Sequence, residues 1–361
     1  MKRRSKSGIV NQVERSAESP AKKDSPVEFI STGSIVLNLA ASQKGRDGGW
    51  ARGRINNIVG DSSSGKSLVA LEACAWAYYN MLGKKTKHFP EVKNVKIIYN
   101  NVEGVMDFPV AEMYGQSFYD AVDWRQIGIC QQAGRDIQRE IDSLRKGDFL
   151  LYVKDSVDAT ISAEEKARID KSLKDDKEQD GSYKTEKAKY YSMSFFNDLC
   201  DRSKGKDATL MFISQVREKI GLSFGEKYYR TGGKAMDFYS HQVVWLYEIE
   251  KLKKTFRSQT RVYGIRSKAR FKKNKTAKPF REATFPILFN YGIDDVGAIV
   301  EYLYGPKVKK IEWGDEEYPR SDFIDMIEDS DDDYEKLIDM VEEDWADIEE
   351  AIEPKRKKRF K

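Results

Sequence analysis

Residues 60–67 read Gly60-Asp61-Ser62-Ser63-Ser64-Gly65-Lys66-Ser67, and this octapeptide decides the fold. It fits the pattern G-x-x-x-x-G-K-[ST], in which glycines let the backbone curl so that successive N–H groups point at a phosphate. The lysine adds a positive charge toward the outer phosphates, and the final hydroxyl supplies a ligand for Mg²⁺. The sequence therefore predicts that all eight residues form a cradle for the phosphates of a nucleotide.

The flanking sequence supports this interpretation. The apolar run from Ile55 to Val59 precedes the octapeptide and predicts a strand. Apolar residues then recur with the period of one helix face as far as Gly83, where the helix should end: Leu68, Leu71, Ala75, Tyr78 and Leu82. A strand, a glycine-rich turn and a helix in this order bring the positive N-terminus of the helix to the phosphates.

Short runs rich in β-branched and aromatic residues alternate with amphipathic helices between residues 28 and 304. This alternation is typical of an α/β fold with a mostly parallel central sheet. The predicted strands are 54–59, 95–101, 126–130, 149–154, 209–214, 242–248, 261–270 and 281–290. The stretches 161–189 and 216–233 show no strand pattern, and loops of that length inside a compact core are usually functional or disordered.

A phosphate cradle of this kind needs a second acidic group on a neighbouring strand, which orients the Mg²⁺ ion and its water ligands. Asp155 follows the apolar run 149–153 and is the candidate. We therefore predict that Ser67 and Asp155 hold the metal. Lys154 is an unusual neighbour, because an apolar residue is typical of that position, and we expect it to face the edge of a helix.

The composition excludes several classes of protein. Hydrophobic residues make up 40% of the 361 residues, which suffices for a core. The longest apolar runs are about five residues, whereas a bilayer-spanning helix needs about 20, so we expect no integral membrane protein. The basic start of the chain is not followed by an apolar stretch, so no secretory signal is expected. Three cysteines without a close pair exclude a disulfide scaffold and favour a reducing, cytoplasmic compartment.

The net charge of +4 conceals a strong asymmetry along the chain. Residues 312–353 contain 20 acids and 2 bases, residues 355–361 contain six bases, and residues 1–311 carry a net charge of +16. We interpret the body as a surface for a polyanion and the acidic tail as its electrostatic competitor, with the basic tip tethering or releasing the tail. A targeting signal in the tip and a plain solvated tail are the alternatives.

Three further stretches resemble the RecA-type DNA strand-exchange recombinases, and more closely the bacterial and phage branch than the eukaryotic and archaeal one. Residues 29–37 are similar to the segment that opens the family's ATPase core. Residues 212–239 match, with the same spacing, its sensor glutamine, its second DNA-binding loop and a Gly-Gly helix start. Residues 273–285 are similar to the late hairpin that reaches the nucleotide of the neighbouring subunit. The resemblance covers residues 28–304.

The resemblance implies a set of catalytic roles beside that of the cradle lysine. Glu103 stands where the family has the glutamate that activates water, and Asp107 resembles the aspartate that contacts adenine. Gln215 resembles the sensor of the γ-phosphate, and hydrolysis would release its bond and loosen the loop that follows. Lys273 and Lys275 would supply positive charge to the neighbouring subunit's γ-phosphate, as an arginine finger does.

The resemblance also implies a DNA-binding loop within 216–233. Its cations would meet phosphates, while the apolar Ile220 and Phe224 would wedge between bases and stretch the strand. The residues assigned to DNA are Arg217, Lys219, Ile220, Gly221, Phe224, Arg230, Thr231, Gly232 and Gly233. The insertion 161–189 occupies the place of the family's first DNA loop, and its mixed charge leaves open whether it contacts DNA or is simply solvated.

The chain also departs from the family pattern. Asp237 replaces a lysine near the nucleotide at the subunit interface, and Val110 replaces the tyrosine that stacks on adenine. The family's larger C-terminal domain is not recognisable in 305–361, and the N-terminal arm is weakly matched. These departures concern the nucleotide preference and the assembly of the protein.

The resemblance therefore implies a RecA-like P-loop ATPase core at 28–304, a short basic arm at 1–27 that serves oligomerisation or is mobile, and an acidic tail with a basic tip at 305–361. The expected cofactors are ATP and Mg²⁺. The expected partners are single-stranded DNA, homologous duplex DNA, further copies in a helical filament, and single-strand-binding or loader proteins.

The implied activity is DNA-dependent ATP hydrolysis with homologous pairing and strand exchange, in a bacterial host and encoded by a phage. A recombination mediator on the same fold, which binds ATP and single strands without exchanging them, is the alternative. A hexameric helicase on a related core fits less well, because the linker segments of helicases are not recognisable.

Overall fold

A ten-stranded sheet organises the protein, and the octapeptide 60–67 follows one of its inner strands. The structure, a computed structural model, describes residues 27–356 apart from 105, 107, 176–184, 219–227 and 231–232. The side chains of 185, 188, 193–194, 217–218, 228–230 and 233–234 lie outside this description.

Parallel strands form the half of the sheet that carries the octapeptide. A separate two-stranded sheet precedes them, made of β1 (Phe29–Ile30) and β2 (Trp50–Ala51). The parallel strands are β3 (Ile55–Gly60), β4 (Asn94–Asn101), β5 (Val122–Arg125), β6 (Asp148–Asp155), β7 (Asp207–Glu218), which also pairs with the short antiparallel β8 (Tyr228–Arg230), and β9 (Gln242–Phe256). Their spatial order is β9-β3-β7-β6-β4-β5, which confirms the predicted mostly parallel α/β fold.

Three antiparallel strands extend the sheet beyond β9: β10 (Gln259–Asn274), β11 (Glu282–Leu288) and β12 (Gly292–Ile293). The β9–β10 hairpin turns at Arg257 and Ser258, both of which have positive φ, 45° and 61°. Such two-residue turns match the twist of the paired strands. The predicted strands 242–248 and 261–270 were therefore too short, because the hairpin runs well past the rest of the sheet. A small hairpin, β13 (Lys310–Trp313) with β14 (Glu316–Pro319), follows later in the chain.

Helices cover both faces of the sheet, which is why β6 reads as a continuous apolar run. In β6, Phe149, Leu151 and Val153 pack into one buried cluster, and Leu150 with Tyr152 pack into the other. The helices are α1 (Ile35–Ser42), α2 (Lys66–Asn80), α3 (Val110–Tyr114), α4 (Gln116–Ala121), α5 (Cys130–Ser143), α6 (Ala163–Asp175), α7 (Thr185–Tyr190), a π-helical turn (Tyr191–Phe195), α8 (Phe196–Arg202), α9 (Gly233–Tyr239), α10 (Asp295–Tyr304), α11 (Arg320–Glu328) and α12 (Asp331–Ala351).

Two local predictions differ from the structure. The strand predicted at 126–130 lies instead at Val122–Arg125, and Cys130 begins a helix. The ladder ends early because the backbone N–H of Ile127 donates to the side chain of Asn100 (2.8 Å) and not to a strand backbone. Within the insertion 161–189, residues 163–175 and 185–189 are helical, in α6 and α7, and Ile161 forms an isolated bridge with Ile129.

The acidic segment 312–353 is folded onto the body. The buried residues Phe323, Ile327, Leu337 and Val341 belong to the same apolar cluster as α1 and α2. The cations of the body bind the acidic face of α12: Arg46 pairs with Glu335 (2.6 Å), Asp339 (2.8 Å) and Glu342 (2.8 Å), Lys278 pairs with Glu349 (3.0 Å) and Glu353 (2.7 Å), and Arg281 pairs with Glu349. A tail that detaches to admit DNA would have to break this packing, so truncating it is not expected to leave the core intact. The division at residue 304 stays a prediction.

Replacing Leu337 by alanine tests this packing. Leu337 is fully buried, so the variant should lower the free energy of unfolding by about 2–5 kcal/mol, as other buried Leu-to-Ala changes do. Chemical denaturation measures it, with Met340→Ala, a 39% exposed site on the same helix, as the control. An unfolding midpoint equal to that of the control would mean that α12 contributes nothing to the core.

Within the described part of the chain, the structure contains no helix with the length and hydrophobicity needed to cross a bilayer.

Candidate active site

The octapeptide forms a turn between β3 and α2 that requires glycine at two places. Gly65 has a φ of +91°, and a Cβ there would collide with Cδ1 of Ile287. A Cβ on Gly60 would lie against Oγ of Ser64 and within 2.8 Å of the backbone oxygen of Leu246. The turn therefore keeps its backbone exposed to a ligand, and α2 begins directly behind it.

Lys66 lies at the centre of this turn. Its Nζ donates to the backbone oxygen of Asp61 (2.6 Å). Burial lowers the pKa of Lys66, and the nearby carboxylates, Asp155 foremost, work against that shift. The turn is braced from the hairpin side, because Oγ of Ser267 donates to the backbone oxygen of Ser64 (2.7 Å). This arrangement places the ammonium group of Lys66 where the motif predicts the phosphates of the nucleotide.

Ser67 and Asp155, the two predicted metal ligands, are in contact. Oγ of Ser67 donates to Oδ2 of Asp155 (2.5 Å), and the hydroxyl of Tyr99 donates to the same oxygen (2.8 Å). A hydroxyl and a carboxylate are ligands that Mg²⁺ accepts. Among the described residues there is no group of three His, Cys, Asp or Glu side chains that could hold a metal, so phosphates and water would have to supply the other ligands.

Lys154 lies against the start of a helix and is buried there. It alternates with Asp155 along β6, so it points to the opposite face of the sheet, toward Cys130 at the start of α5, and is 1% exposed. Burial lowers the pKa of Lys154 to about 7, and within the described residues its Nζ has no hydrogen-bond partner. It takes no part in the cradle.

Glu103 and Gln215 lie in contact at the carboxyl edge of the sheet. Glu103 follows β4, where its N–H donates to Oδ1 of Asn101 (3.2 Å). Gln215 lies in β7, and its Nε2 donates to Oε1 of Glu103 (3.0 Å). The N–H of Gln215 donates to Asp158 (2.7 Å), which fixes the backbone at that point. The two residues are 112 positions apart in the sequence, and this hydrogen bond joins their side chains.

A cavity of about 1170 Å³ opens beside the cradle. Its polar side contains Lys66, Ser67, Glu103 and Asp155, and together with Ser63 and Gly65 this brings six of the predicted residues to one space. Its other side is mainly apolar and suits a base: Met106, Phe108, Met113, Val262, Ile265, Ile287, Leu288 and Phe289, with Glu248, Lys251 and Asn290 at polar positions.

The sequence analysis missed this apolar side. Phe289, 54% exposed, follows β11 and offers a ring at the cavity. Its position near the end of the predicted strand 281–290 and before Gly292 was the available signal. Val110, by contrast, is 3% exposed and packs in the core, so the position that aligns with a stacking tyrosine does not face the cavity. Asp107 lies outside the described residues, between Met106 and Phe108, which do line the cavity.

Lys273 and Lys275 lie away from the cavity, at the opposite edge of the sheet. Asn274 pairs with Gln242 at the start of β9, which is the end remote from the octapeptide. The Nζ atoms of both lysines donate to the backbone oxygen of Phe238 at the end of α9 (2.9 and 3.0 Å). They cannot reach the cradle of their own chain, which is what a role in trans requires.

Most of the residues assigned to DNA fall outside the described structure. These are Lys219, Ile220, Gly221, Phe224, Thr231 and Gly232; for Arg217, Arg230 and Gly233 the backbone alone is described, in β7, β8 and α9. β7 and β8 pair antiparallel through Val216 and Arg230, so the segment between them starts and ends at the same place. That place is directly beyond Gln215.

The sequence of this chain is similar to a known protein family and to several of its members. The model of the RecA N-terminal domain family matches residues 14–294. Protein RecA from Nocardioides sp. is 31% identical over 278 residues, which cover 76% of this chain and 69% of the relative. Protein RecA from Symbiobacterium thermophilum is 32% identical over 282 residues, with 76% and 69% covered. Protein RecA from Mycoplasma genitalium is 32% identical over 274 residues, with 75% and 70% covered.

A solved structure, described as the crystal structure of the RadB recombinase, superposes with a TM-score of 0.47 at 16% sequence identity. The superposition covers 73% of this chain and 98% of that one.

Proposed function

Because the chain belongs to the RecA family, we propose that it carries out homologous pairing and strand exchange with the site assembled at the carboxyl edge of its sheet. The chain is an ATP-binding recombination protein and a DNA-dependent ATPase. As its family does, it binds DNA and assembles into filaments. The proposal assigns a role to each site residue, assigns Mg²⁺ to its ligands and gives the order in which the DNA partners bind.

The cradle, Glu103 and Asp155 have different roles in ATP hydrolysis. Lys66 stabilises the charge that develops on the β- and γ-phosphates. Glu103 orients the attacking water and takes up its proton. Ser67 and Asp155 hold Mg²⁺, which when bound neutralises charge on the phosphate oxygens. The apolar side of the cavity, with Phe289, receives the adenine, so a tyrosine at position 110 is not needed.

The contact between Gln215 and Glu103 is the observation that carries the proposal. One amide touches the residue that activates water, and its backbone leads into the loop assigned to DNA. When a γ-phosphate is present, the amide of Gln215 donates to it, and this repositions the start of the loop. Loss of the phosphate reverses the change, so the nucleotide state and the DNA-binding state are coupled through a single side chain.

The remaining assignments concern assembly. Lys273 and Lys275 act on the γ-phosphate of the neighbouring subunit, which makes filament assembly depend on ATP, because a ligand bound across two subunits stabilises their contact. The filament forms first on single-stranded DNA and then takes up homologous duplex. Single-strand-binding or loader proteins would assist the first step, and a phage origin stays a prediction.

Replacing Ile220 and Phe224 together by alanine tests the pairing role. Stacking of a side chain on a base contributes about 1–3 kcal/mol, so strand exchange should slow about 10- to 100-fold, while ATP binding without DNA is unchanged. Exchange of a fluorescent strand measures this. The matched control is Leu82→Ala with Met340→Ala, two exposed apolar sites on other surfaces. Exchange at the control rate would remove this loop from pairing, and a protein that binds single strands but never exchanges them would be a mediator.

A further inference from the structure

A second, smaller cavity of about 210 Å³ lies at the edge of the sheet opposite the cradle. Arg54 and His241, which directly precede β3 and β9, line one side of it, and Cys200 and Ser203 at the end of α8 line the other. The N–H of His241 donates to the backbone oxygen of Ile55 (2.7 Å), which joins the two strand starts. β3 runs from here to the cradle, so the two sites are about 20 Å apart. We call this space the second cavity.

Two polar side-chain atoms at the second cavity lack a hydrogen-bond partner. Oγ of Ser203 and Nδ1 of His241 are both buried, and neither contacts a donor or acceptor in the part of the chain that the structure describes. A buried polar atom without a partner costs free energy, and each such atom calls for an explanation such as an ion, a water or a ligand. Because both residues line one cavity, a single ligand can satisfy both atoms.

The charges that act on the second cavity are positive. The pKa of His241 is lowered to about 4, because the ring is buried and because three cations repel a further proton: Arg54, Lys275 and Lys273. The ring is therefore neutral at pH 7. Burial raises the pKa of the Cys200 thiol, and a similar set of cations opposes that rise: Lys275, Arg54 and Lys204. A small cavity with cations on several sides attracts an anion.

The neighbouring carboxylates leave most of this charge uncompensated. Asp201 pairs with Lys204 (2.6 Å), and both side chains are exposed on the outer side of α8. Arg54 forms no ion pair with a described residue, and its Nη1 donates to the backbone oxygen of Gly53 (3.1 Å). Nζ of Lys275 donates to a neutral acceptor, the backbone oxygen of Phe238 (3.0 Å). The second cavity thus combines net positive charge with unpaired hydrogen-bonding atoms.

We propose that the second cavity binds a phosphate group, with Arg54 as its ion-pair partner and with Ser203 and His241 as hydrogen-bond donors. The guanidinium of an arginine presents several N–H groups in one plane, which match two oxygens of a phosphate. The Ser203 hydroxyl donates to a phosphate oxygen, and so does the neutral His241 ring in the tautomer protonated at Nδ1. The space equals about seven water volumes of about 30 Å³, which holds a phosphate group and some water but not a whole nucleotide.

Two sources supply this chemistry: free inorganic phosphate, which ATP hydrolysis releases, and the terminal phosphate of a nucleotide on a neighbouring subunit. The second source rests on the proposed function, which brings that nucleotide to Lys273 and Lys275. The backbone of DNA is a less suitable source. The loop 216–233 follows Gln215, and Gln215 pairs with Gly60 at the cradle end of β3, so the loop leaves the opposite edge of the sheet.

The two histidines of the chain, His88 and His241, allow a direct test by NMR of the labelled imidazoles. The full chain without nucleotide or DNA is titrated with inorganic phosphate at constant ionic strength. The His241 resonance should shift saturably, while that of the exposed His88 stays in place. Phosphate also suits the cradle, so the titration is repeated with Lys66→Ala, in which the His241 shift should be unchanged.

Two variants probe the assigned contacts. Arg54→Gln should raise the phosphate concentration at half-saturation about 10- to 100-fold, and Ser203→Ala about 10-fold, because each removes a hydrogen bond to a charged group. The matched control is Arg139→Gln, an exposed arginine on α5 that lacks an ion pair among the described residues, and it should bind as the parent does. Unfolding midpoints show whether each variant is folded. Ser203→Ala removes a single atom and tests the site by itself if Arg54→Gln does not fold.

The reactivity of Cys200 distinguishes the two sources. Cys200 is half-buried at the second cavity, whereas Cys74 and Cys130 are buried elsewhere. Free phosphate should slow thiol labelling of Cys200 in the unassembled chain. If the terminal phosphate of a nucleotide is the ligand, labelling should slow only in filaments formed with a nonhydrolysable ATP analogue. Slowing that persists in Arg54→Gln filaments reports burial by the neighbouring subunit and counts against that source.

The proposal is overturned if neither source shifts His241 or protects Cys200, or if acetate and chloride at the same ionic strength act as well as phosphate does. It is also overturned if Arg139→Gln loses as much affinity as Arg54→Gln. The titration with free phosphate uses neither DNA nor nucleotide, so its result stands even where the Ile220 and Phe224 double variant disproves the proposed function.

Discussion

Replacing Lys66 by alanine should lower the affinity for ATP about 100-fold and abolish filament formation on DNA. The ammonium group lies in the cradle, where burial already lowers its pKa and the backbone oxygen of Asp61 holds it in place. Removing one partner of a buried charged contact costs about 2–5 kcal/mol, which corresponds to the stated loss. In the proposed assembly, ATP bound between subunits stabilises their contact, so filaments should disappear when ATP no longer binds.

Titration with a fluorescent ATP analogue, and electron microscopy with single-stranded DNA, measure these two effects. Lys85→Ala is the control, since it removes an exposed lysine just beyond α2. Lys66→Arg keeps the charge but changes its geometry, and it should bind ATP more weakly than the parent protein. An unchanged nucleotide affinity in Lys66→Ala would mean that the octapeptide is a structural turn and not a phosphate cradle.

Replacing Glu103 by glutamine should leave ATP binding intact and slow hydrolysis by about 10²- to 10⁴-fold, the usual contribution of a general base. Glutamine keeps the size of the side chain and can still contact Gln215, but it cannot accept a proton from water. We expect hydrolysis to release the filaments, so those formed by this variant should persist much longer than those of the parent.

Phosphate release in the presence of single-stranded DNA measures the hydrolysis rate, and dilution of preformed filaments measures their lifetime. Glu112→Gln, an exposed acid on α3 close in sequence, should behave as the parent protein does. If Glu103→Gln hydrolyses ATP at the parent rate, another residue activates the water, and Glu103 serves only to position Gln215.

The phosphate cradle could be predicted from the sequence because its geometry is local. Eight consecutive residues set the backbone of the turn, and Gly65 adopts the positive φ that a glycine at this point permits. The position of Asp155 was also predictable, because it follows an apolar run and the strands of a parallel sheet end at one edge. Glu103 was assigned only through the resemblance of its segment to the family. β6 was predicted as a strand because its apolar run is continuous, which is typical of a strand buried on both faces.

Contacts between distant segments could not be predicted in this way. The ring of Phe289 lines the cavity because β11 lies near the cradle, and no local pattern reports that proximity. The strand was predicted at 126–130 but lies at Val122–Arg125. The side chain of Asn100 accepts the hydrogen bond from the Ile127 N–H that would have continued the ladder.

The acidic segment and the hairpin show most clearly what tertiary structure decides. The charge of residues 312–353 is evident from composition alone, yet its partners, such as Arg46 and Arg281, lie far away in the sequence. Composition by itself therefore predicted a competitor for DNA, whereas packing makes the segment part of the core. The cations of residues 253–262 were equally visible, but only the pairing of the strands shows that, among the described residues, no further strand pairs with this part of the hairpin. Composition and period determine which residues are charged, buried or turn-forming, while the partner of each charge depends on which segments the fold brings together.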